Sequence, residues 1–394
     1  MAKAKAKATS PDHPAVTKLL KGAKPAPRGD FDVACIYYPG FHPTPFMEAW
    51  HGFGWDEWDI TYRCRPRFRG HRQPILPKWG RFDESDPKWS AREVEAASGA
   101  GIDAWIFDWY WYSGVEIWNE ALDRGFLLAD NRSRMKFGLM WANHTWQNNH
   151  PASLTEALPN LLPIRHSPED LDRVVDVWSE RYFGEPNYWR IDGKPWCSFF
   201  LLSSLLDHLG GEAGVGRAVE RMRRRAERNG EPGLHLCVFT GSTGEAARAL
   251  ALGFDGATTY NVVRGRNQRP AQPLVEFDDV MLAHAEKWLQ FLDAKLPYWP
   301  VVTQGWDVSA RNHPYEPWPP VRWQWPWGHI VVDNTPEKFG QLVRAARRFL
   351  SLQKTKGPKA IVLNAWNEWT EGSVLLPTKD QGDGVLRALA AALR

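Results

Sequence analysis

Two glutamates three residues apart, Glu368 and Glu371, stand in the run Trp366-Asn-Glu-Trp-Thr-Glu-Gly372, among indoles and a carboxamide. The run follows a short apolar stretch, Ile361, Val362 and Leu363, that reads as a buried strand. An isolated buried carboxylate is too costly to leave unpaired. A polar cluster directly behind a core strand therefore reads as the mouth of a site where carboxylates do work. If the chain turns there, positions i and i+3 bring the two Cβ atoms to roughly 5–6 Å, which suits two acids acting on one small group. Repulsion and desolvation should drive their pKa values apart, leaving one acid and one base.

Composition narrows the classes of function. With 43% hydrophobic and 24% charged residues the chain is an ordinary globular protein with ample core. A net charge of +3 does not argue for nucleic acid, and the basic run 221–225 reads as the solvated face of a helix. There are 23 tryptophans. An indole offers a wide apolar face with one N–H, which suits sugars, although at least half of them are expected to fill core and loops. Cys35, Cys64, Cys197 and Cys237 are not closely spaced, and three lie in predicted strands, so buried reduced thiols are expected. No apolar run reaches transmembrane length. Residues 1–30, rich in Lys, Ala and Pro, read as a disordered basic arm without the apolar segment of a secretory signal, which implies a cytoplasmic protein.

The elements that must position the acids alternate along the chain. Strands are predicted at 33–38, 102–107, 136–141, 194–200, 234–240, 256–260, 299–304 and 361–363. Helices are predicted from a Ser90 cap to Gly101, then over 116–128, 168–182, 214–228, 244–252, 277–294, 336–350 and 384–393, with a small hairpin about Asp192-Gly193. Eight strands each followed by a helix predict one (β/α)8 TIM barrel over 31–394, with long loops after strands 1 and 7 forming most of the rim.

Chemistry in such a barrel sits at the C-terminal strand ends. Strand 1 leads into Tyr37, Tyr38 and His42, and strand 2 into Asp108, Tyr110 and Trp111. Strand 3 leads into Trp141, Asn143 and His144, strand 6 into Tyr260, and strand 7 into Trp306, Asp307 and Arg311. Strand 8 delivers Trp366, Asn367 and the two glutamates. Aromatics, amides and carboxylates recur at nearly every one of these ends, as one sugar-sized polar pocket requires. Plainer roles stay open for some. Asp108 could cap a helix, His144 could be structural, and Asp307 with Arg311 could be an ion pair. His42, His144 and His150 have no recognisable metal-ligand spacing.

These motifs resemble glycoside hydrolase family 99, the endo-α-mannosidases and endo-α-mannanases, and its bacterial WbsX-like relatives, often described as glycosyltransferases. The likeness runs from Tyr37 to the C-terminus. Trp366-Asn-Glu-Trp-Thr-Glu-Gly372 carries the family's Asn-Glu-Trp-x-Glu-Gly signature, and Trp141-Ala-Asn143, Gly305-Trp-Asp-Val-Ser-Ala-Arg311 and Tyr37-Tyr-Pro-Gly-Phe-His-Pro43 look like the relatives' other strand-end motifs. Phe254-Asp-Gly-Ala-Thr-Thr-Tyr260 is similar to the segment that supplies an active-site tyrosine. The resemblance implies retaining hydrolysis at an α-linked sugar. The carboxylate matching Glu368 would deprotonate the substrate's own 2-hydroxyl, which attacks C1 to form a 1,2-anhydro sugar. The one matching Glu371 would protonate the leaving oxygen and then activate water. Two departures bear on substrate identity: the relatives often carry a carboxylate at the position of His144, and an acidic residue where this chain has Leu376 before Pro377.

The expectation is a monomeric or weakly oligomeric hydrolase of an oligo- or polysaccharide. Glu368 would be the base and Glu371 the acid/base, Tyr38, Trp111, Trp141, Trp306 and Trp366 would stack on sugar faces, and no cofactor, metal, nucleic acid or membrane would be needed. One rival is a glycosyltransferase of surface polysaccharide synthesis, against which stands the lack of a Gly-rich phosphate loop or an Asp-x-Asp motif. The other is a carbohydrate-binding barrel that has lost its chemistry.

Overall fold

The computed structural model describes residues 14–263, 273–321, 323 and 325–394. Eight parallel strands form a ring: β1 (Asp32–Tyr37), β2 (Ala104–Tyr112), β3 (Lys136–Trp141), β4 (Lys194–Phe199), β5 (His235–Phe239), β6 (Gly256–Thr258), β7 and β8 (Ala360–Asn364). β7 comes in two pieces, so the sheet has nine parallel segments. Tyr298–Trp299 pairs with β6 and Val301–Thr303 pairs with β8. Pro300 between them has no N–H to give a ladder, while its carbonyl accepts from Val362 N at 3.0 Å. One strand thus changes partner at a proline, and the barrel closes. Register is tight where the site will be built: β1 Cys35 stands opposite β8 Leu363 and β2 Trp105.

Short side chains such as Ala34, Ala104 and Ala360 share the barrel interior with Ile36, Ile106 and Val362. Its floor is a stack of three indoles, Trp189, Trp196 and Trp299, with ring centroids 5.0 to 5.8 Å apart. At least twelve of the 23 tryptophans are fully buried, so packing claims the larger share of them. The outer helices include Pro87–Gly99, Pro168–Trp178, Gly211–Arg228, Phe277–Phe291, Pro336–Leu352 and Gly384–Leu393. The basic run on the helix Gly211–Arg228 is paired: Arg221 with Asp172, Arg225 with Asp176, Arg223 with Asp255.

Three local expectations are corrected. The helix predicted over 116–128 forms only in its second half, as a π-helix over Ala121–Gly125 and a 3-10 turn over Phe126–Leu128, because Val115–Ile117 is a hairpin arm paired with β2. Ser113 and Gly114 both take positive φ and turn the chain back early. The first helix is capped by Asp86, whose carboxylate accepts from Lys88 N with Pro87 at the first turn, not by Ser90 inside it. Residues 1–13 of the expected basic arm lie outside the described residues. Residues 14–30, however, are packed: Val16 and Leu19 are buried, and Arg348 donates to the carbonyls of Leu20 and Ala23. The hairpin about Asp192-Gly193 forms as expected, and all four cysteines are buried and free. No helix among the described residues is long and apolar enough to cross a membrane.

Candidate active site

Above β8 the chain forms a tight hairpin, Asn367–Glu368 paired with Ser373–Val374, closed by a turn over Trp369–Glu371. Both acids therefore stand on one short, rigid loop. It is held from below by buried partners. Asn367 Oδ1 accepts from Tyr38 N at 2.8 Å and its amide donates to Tyr38 O at 2.6 Å and to Glu84. Trp366 Nε1 donates to Glu93 at 2.9 Å, and the Tyr37 hydroxyl donates to the other Glu93 oxygen at 3.0 Å.

Glu84 and Glu93 are both fully buried. Burial pushes Glu93 up to about 8, with its hydrogen bonds from Trp366 and Tyr37 opposing, and burial together with the charge of Glu93 pushes Glu84 up as well. The folded form therefore holds protons that the unfolded chain gives up above about 4.5. Stability should fall as pH rises from the ordinary carboxyl range toward 8, and Glu93→Gln should flatten that slope in thermal unfolding measured across this window. An unchanged slope in the variant would remove the assignment.

A cavity of about 300 Å³ opens at this end of the barrel. Tyr38, Asp108, Tyr110, His144, Tyr260, Arg311, Glu368 and Glu371 line it. Trp146, Phe200 and Trp325 add aromatic wall, and Gln147 and Asn149 add amides. The Tyr260 hydroxyl donates to Glu368 Oε1 at 2.7 Å, and Arg311 lies 3.8 Å from Glu368 Oε2. Burial, then the charges of Glu371 and Asp108, push Glu368 well above the usual carboxylate range, with Arg311 and Tyr260 opposing. Asp108 is raised by burial and by Glu371, and its Oδ1 has no hydrogen-bond partner among the described residues. Burial lowers His144, so a neutral imidazole faces the pocket. The arrangement is three carboxyls and one guanidinium inside an aromatic wall, able to take a proton at one atom and give one at another.

Half of the residues singled out from sequence meet in this cavity; the others stand behind it. Trp141 donates to Trp111 O, and Trp111 donates to Asp170, so these two rings brace the wall and offer no face to it. Trp306 is buried beside Trp325, and Trp366 is bonded to Glu93. Asn143 ties the chain at Leu201 through both its carbonyl and its amide, and His42 meets Glu120. Asp307 pairs with His71 at 2.7 Å and Gln73 at 2.9 Å, not with Arg311. Those contacts bind the loop after β7 to the loop after β1, as does Arg67 on the carbonyls of Ser309 and His313.

The rim also differs from expectation. The loop after β3 supplies His144, Thr145, Trp146, Gln147 and Asn149, a larger share of the lining than the loop after β1. Trp325 and Phe200 carry no sequence signal beyond being aromatic near a strand end. Glu57, fully buried beneath the pocket, was also missed. Its signal was legible in hindsight, since Trp55-Asp-Glu-Trp58 repeats the acid-between-indoles composition of the β8 motif. Among the described residues, no group of three or more His, Cys, Asp or Glu is placed to hold a metal ion.

Residues 33–389 match the family described as Glycosyltransferase WbsX. The chain belongs to the WbsX family. Curated relatives are the uncharacterized WxcX proteins of two strains of Xanthomonas campestris pv. campestris, each 28% identical over 371 residues that cover 92% of this chain and 49% of the relative. The chain thus spans about half the length of the curated relatives it matches. Among solved structures, the GH99 endo-alpha-mannosidase from Bacteroides thetaiotaomicron is 14% identical with a TM-score of 0.59, covering 92% of this chain and 95% of that one. A structure described as a glycoside hydrolase-like protein is similar at 14% identity and TM-score 0.59, over 93% and 94% of the two chains. At that identity the likeness is one of fold: the WbsX chain has the TIM-barrel architecture of these neighbours.

Proposed function

We propose that this WbsX protein is a retaining glycoside hydrolase acting on an α-linked oligo- or polysaccharide. The observation that carries the reading is that Glu368 and Glu371, on one hairpin, both line a single aromatic-walled cavity. Arg311 does not close it, because its nearer partners are His150 at 2.6 Å and Glu57 at 3.3 Å, against 3.8 Å to Glu368.

In the first step Glu368 takes the proton from the sugar's 2-hydroxyl as O2 attacks C1. The C1–O bond to the leaving group breaks, and Glu371 gives that oxygen its proton. A 1,2-anhydro sugar and an alcohol result. In the second step Glu371 takes a proton from water, the water oxygen opens the three-membered ring at C1, and Glu368 returns its proton to O2. Two inversions give net retention. Arg311 and the Tyr260 hydroxyl favour the ionised form of Glu368 that the base role uses, against the stronger push of burial, Glu371 and Asp108 toward the protonated form. Burial and Asp108 hold the site in a dry, acidic setting where proton transfers are sensitive to small shifts. The departure at His144, a neutral ring where the relatives often have an acid, argues for a different hydroxyl pattern at that wall.

The family description favours a second reading, transfer from a nucleotide sugar. The two separate cleanly. The hydrolase should release a reducing sugar from an α-linked saccharide panel that begins with α-mannosides, with the α anomer appearing first by proton NMR, and should show no heat of binding with nucleotide sugars. Nucleotide-sugar binding together with no release from the panel would replace the hydrolase by the transferase.

A further inference from the structure

We infer that Glu57, which lies outside the pocket, is a positioning residue that holds the Arg311 guanidinium between two carboxylates and so governs how much positive charge reaches Glu368. The inference rests on the hydrolase reading for its meaning, but its geometry stands separately.

Glu57 precedes the short helix Trp58–Arg63 in the loop after β1 and is fully buried. It collects contacts from four other parts of the rim. The Tyr38 hydroxyl, at the end of β1, donates to its Oε1. His150, from the loop after β3, lies 2.7 Å from the same oxygen. Arg311, from the loop after β7, donates to it at 3.3 Å. Thr370, the residue before Glu371, donates to Oε2 at 3.0 Å. Two of these four, Tyr38 and Arg311, also line the cavity, and a third sits in the turn that carries both acids.

Arg311 is therefore bracketed, with one guanidinium nitrogen 3.3 Å from Glu57 and another 3.8 Å from Glu368. A cation with a carboxylate on its far side offers less field to the near one. The buried surroundings leave little water to even out the difference. His150 Nε2 also lies 2.6 Å from the guanidinium, so it donates to Glu57 when it carries a proton and accepts from Arg311 when it does not. His51 and Arg63 act on this cluster from the loop after β1. On the pocket side, Tyr260, Glu371 and Asp108 face Glu368. Consistent with the bracket, Glu57 is held down to about 2: burial raises it, but Arg311, His150 and Tyr38 outweigh burial. It stays charged wherever the enzyme works. A residue whose charge was not felt at Glu368 would leave the titration of Glu368 untouched.

That difference is the test. In protein labelled with carboxyl-13C glutamate, the Glu368 resonance is identified by its loss in Glu368→Gln and followed across pH. Glu57→Gln keeps the shape and removes the charge, so the Glu368 titration should move down by at least about one pH unit. Arg311→Gln should move it up, and Glu57→Asp should leave it within about half a unit of the wild type. With an α-glycosyl fluoride accepted by the wild type, Glu57→Gln should lower kcat about tenfold and shift the acid limb down in step, with KM little changed. A Glu368 titration that stays in place in both charge-removing variants, or moves the same way in both, overturns the inference. Should no saccharide be turned over at all, the hydrolase reading fails while the 13C titration still decides this one.

Discussion

Glu368→Gln is expected to lower turnover of every α-glycoside the protein accepts by at least about 10³-fold, because an amide takes no proton from a sugar hydroxyl. Glu371→Gln should cost about as much with a sugar-alcohol leaving group. With fluoride, which departs without a proton, its cost should shrink by at least about tenfold, since only the water-activating half of its work is lost. The asymmetry distinguishes the two roles, and a 2-deoxy substrate adds the third corner: lacking O2, it should not be turned over even by the wild type. These are the largest effects expected because, in the proposed mechanism, both side chains touch the reacting atoms, and both stand on one hairpin. Initial rates on matched alcohol and fluoride substrates check all of it. Wild-type turnover in Glu368→Gln, or efficient cleavage of the 2-deoxy sugar, would end the mechanism.

The second large effect is on the scaffold. Gly372 closes the turn that carries the two acids at φ +66°, and a Cβ placed there would come within 2.7 Å of Asp307 Cβ and 2.9 Å of Asp307 N. Facing it, a Cβ on Gly305 would lie 2.5 Å from the Gly372 carbonyl oxygen. The loops after β7 and β8 are thus pressed together at two glycines and pinned by the bond from Asp307 N to Glu371 O at 2.6 Å. Gly372→Ala adds a left-handed penalty to a backbone clash, together about 2–5 kcal/mol. In a chain of this size that lowers Tm by several degrees. Activity should fall further than stability, since Glu371 and Arg311 ride on the two loops that are forced apart. Gly216→Ala is the control: its Cβ would meet nothing within 4 Å, and in the helix Gly211–Arg228 it should stabilise by about 0.5–1 kcal/mol. Equal Tm values for Gly372→Ala and the wild type would show that the contact is not needed.

The barrel was legible because each strand is a short apolar run bounded by turn residues, and periodicity with punctuation is a local property. The start of the 116–128 segment misled for the same reason. Its apolar spacing suits a helix, but Ser113 and Gly114 reverse the chain and β2 captures Val115–Ile117 as a partner, a pairing that no local window contains. The pocket was half legible. Tyr38, Asp108, Tyr110, His144, Tyr260 and Arg311 follow from the rule that chemistry sits at strand ends. The tryptophans did not follow, because whether an indole faces a sugar or a wall depends on which way the strand is turned when it leaves the sheet. Trp111, Trp141 and Trp366 satisfy their N–H groups inside the protein, whereas Trp146, farther out on the same loop as His144, reaches the cavity.

By itself the order of residues determined that this chain makes a ring of parallel strands and that two acids, three residues apart, leave the last of them together. Both are short-range facts: hydrophobic runs set the strands, and covalent spacing sets the pair. Tertiary structure alone decided what those acids meet. Asp108 and Arg311 lie far apart in the chain, and their charges bear on Glu368 only because barrel closure brings β2 and the loop after β7 to one opening. A carboxylate's proton affinity depends on burial and on charges a few ångströms away, and those distances exist only once the ring has closed.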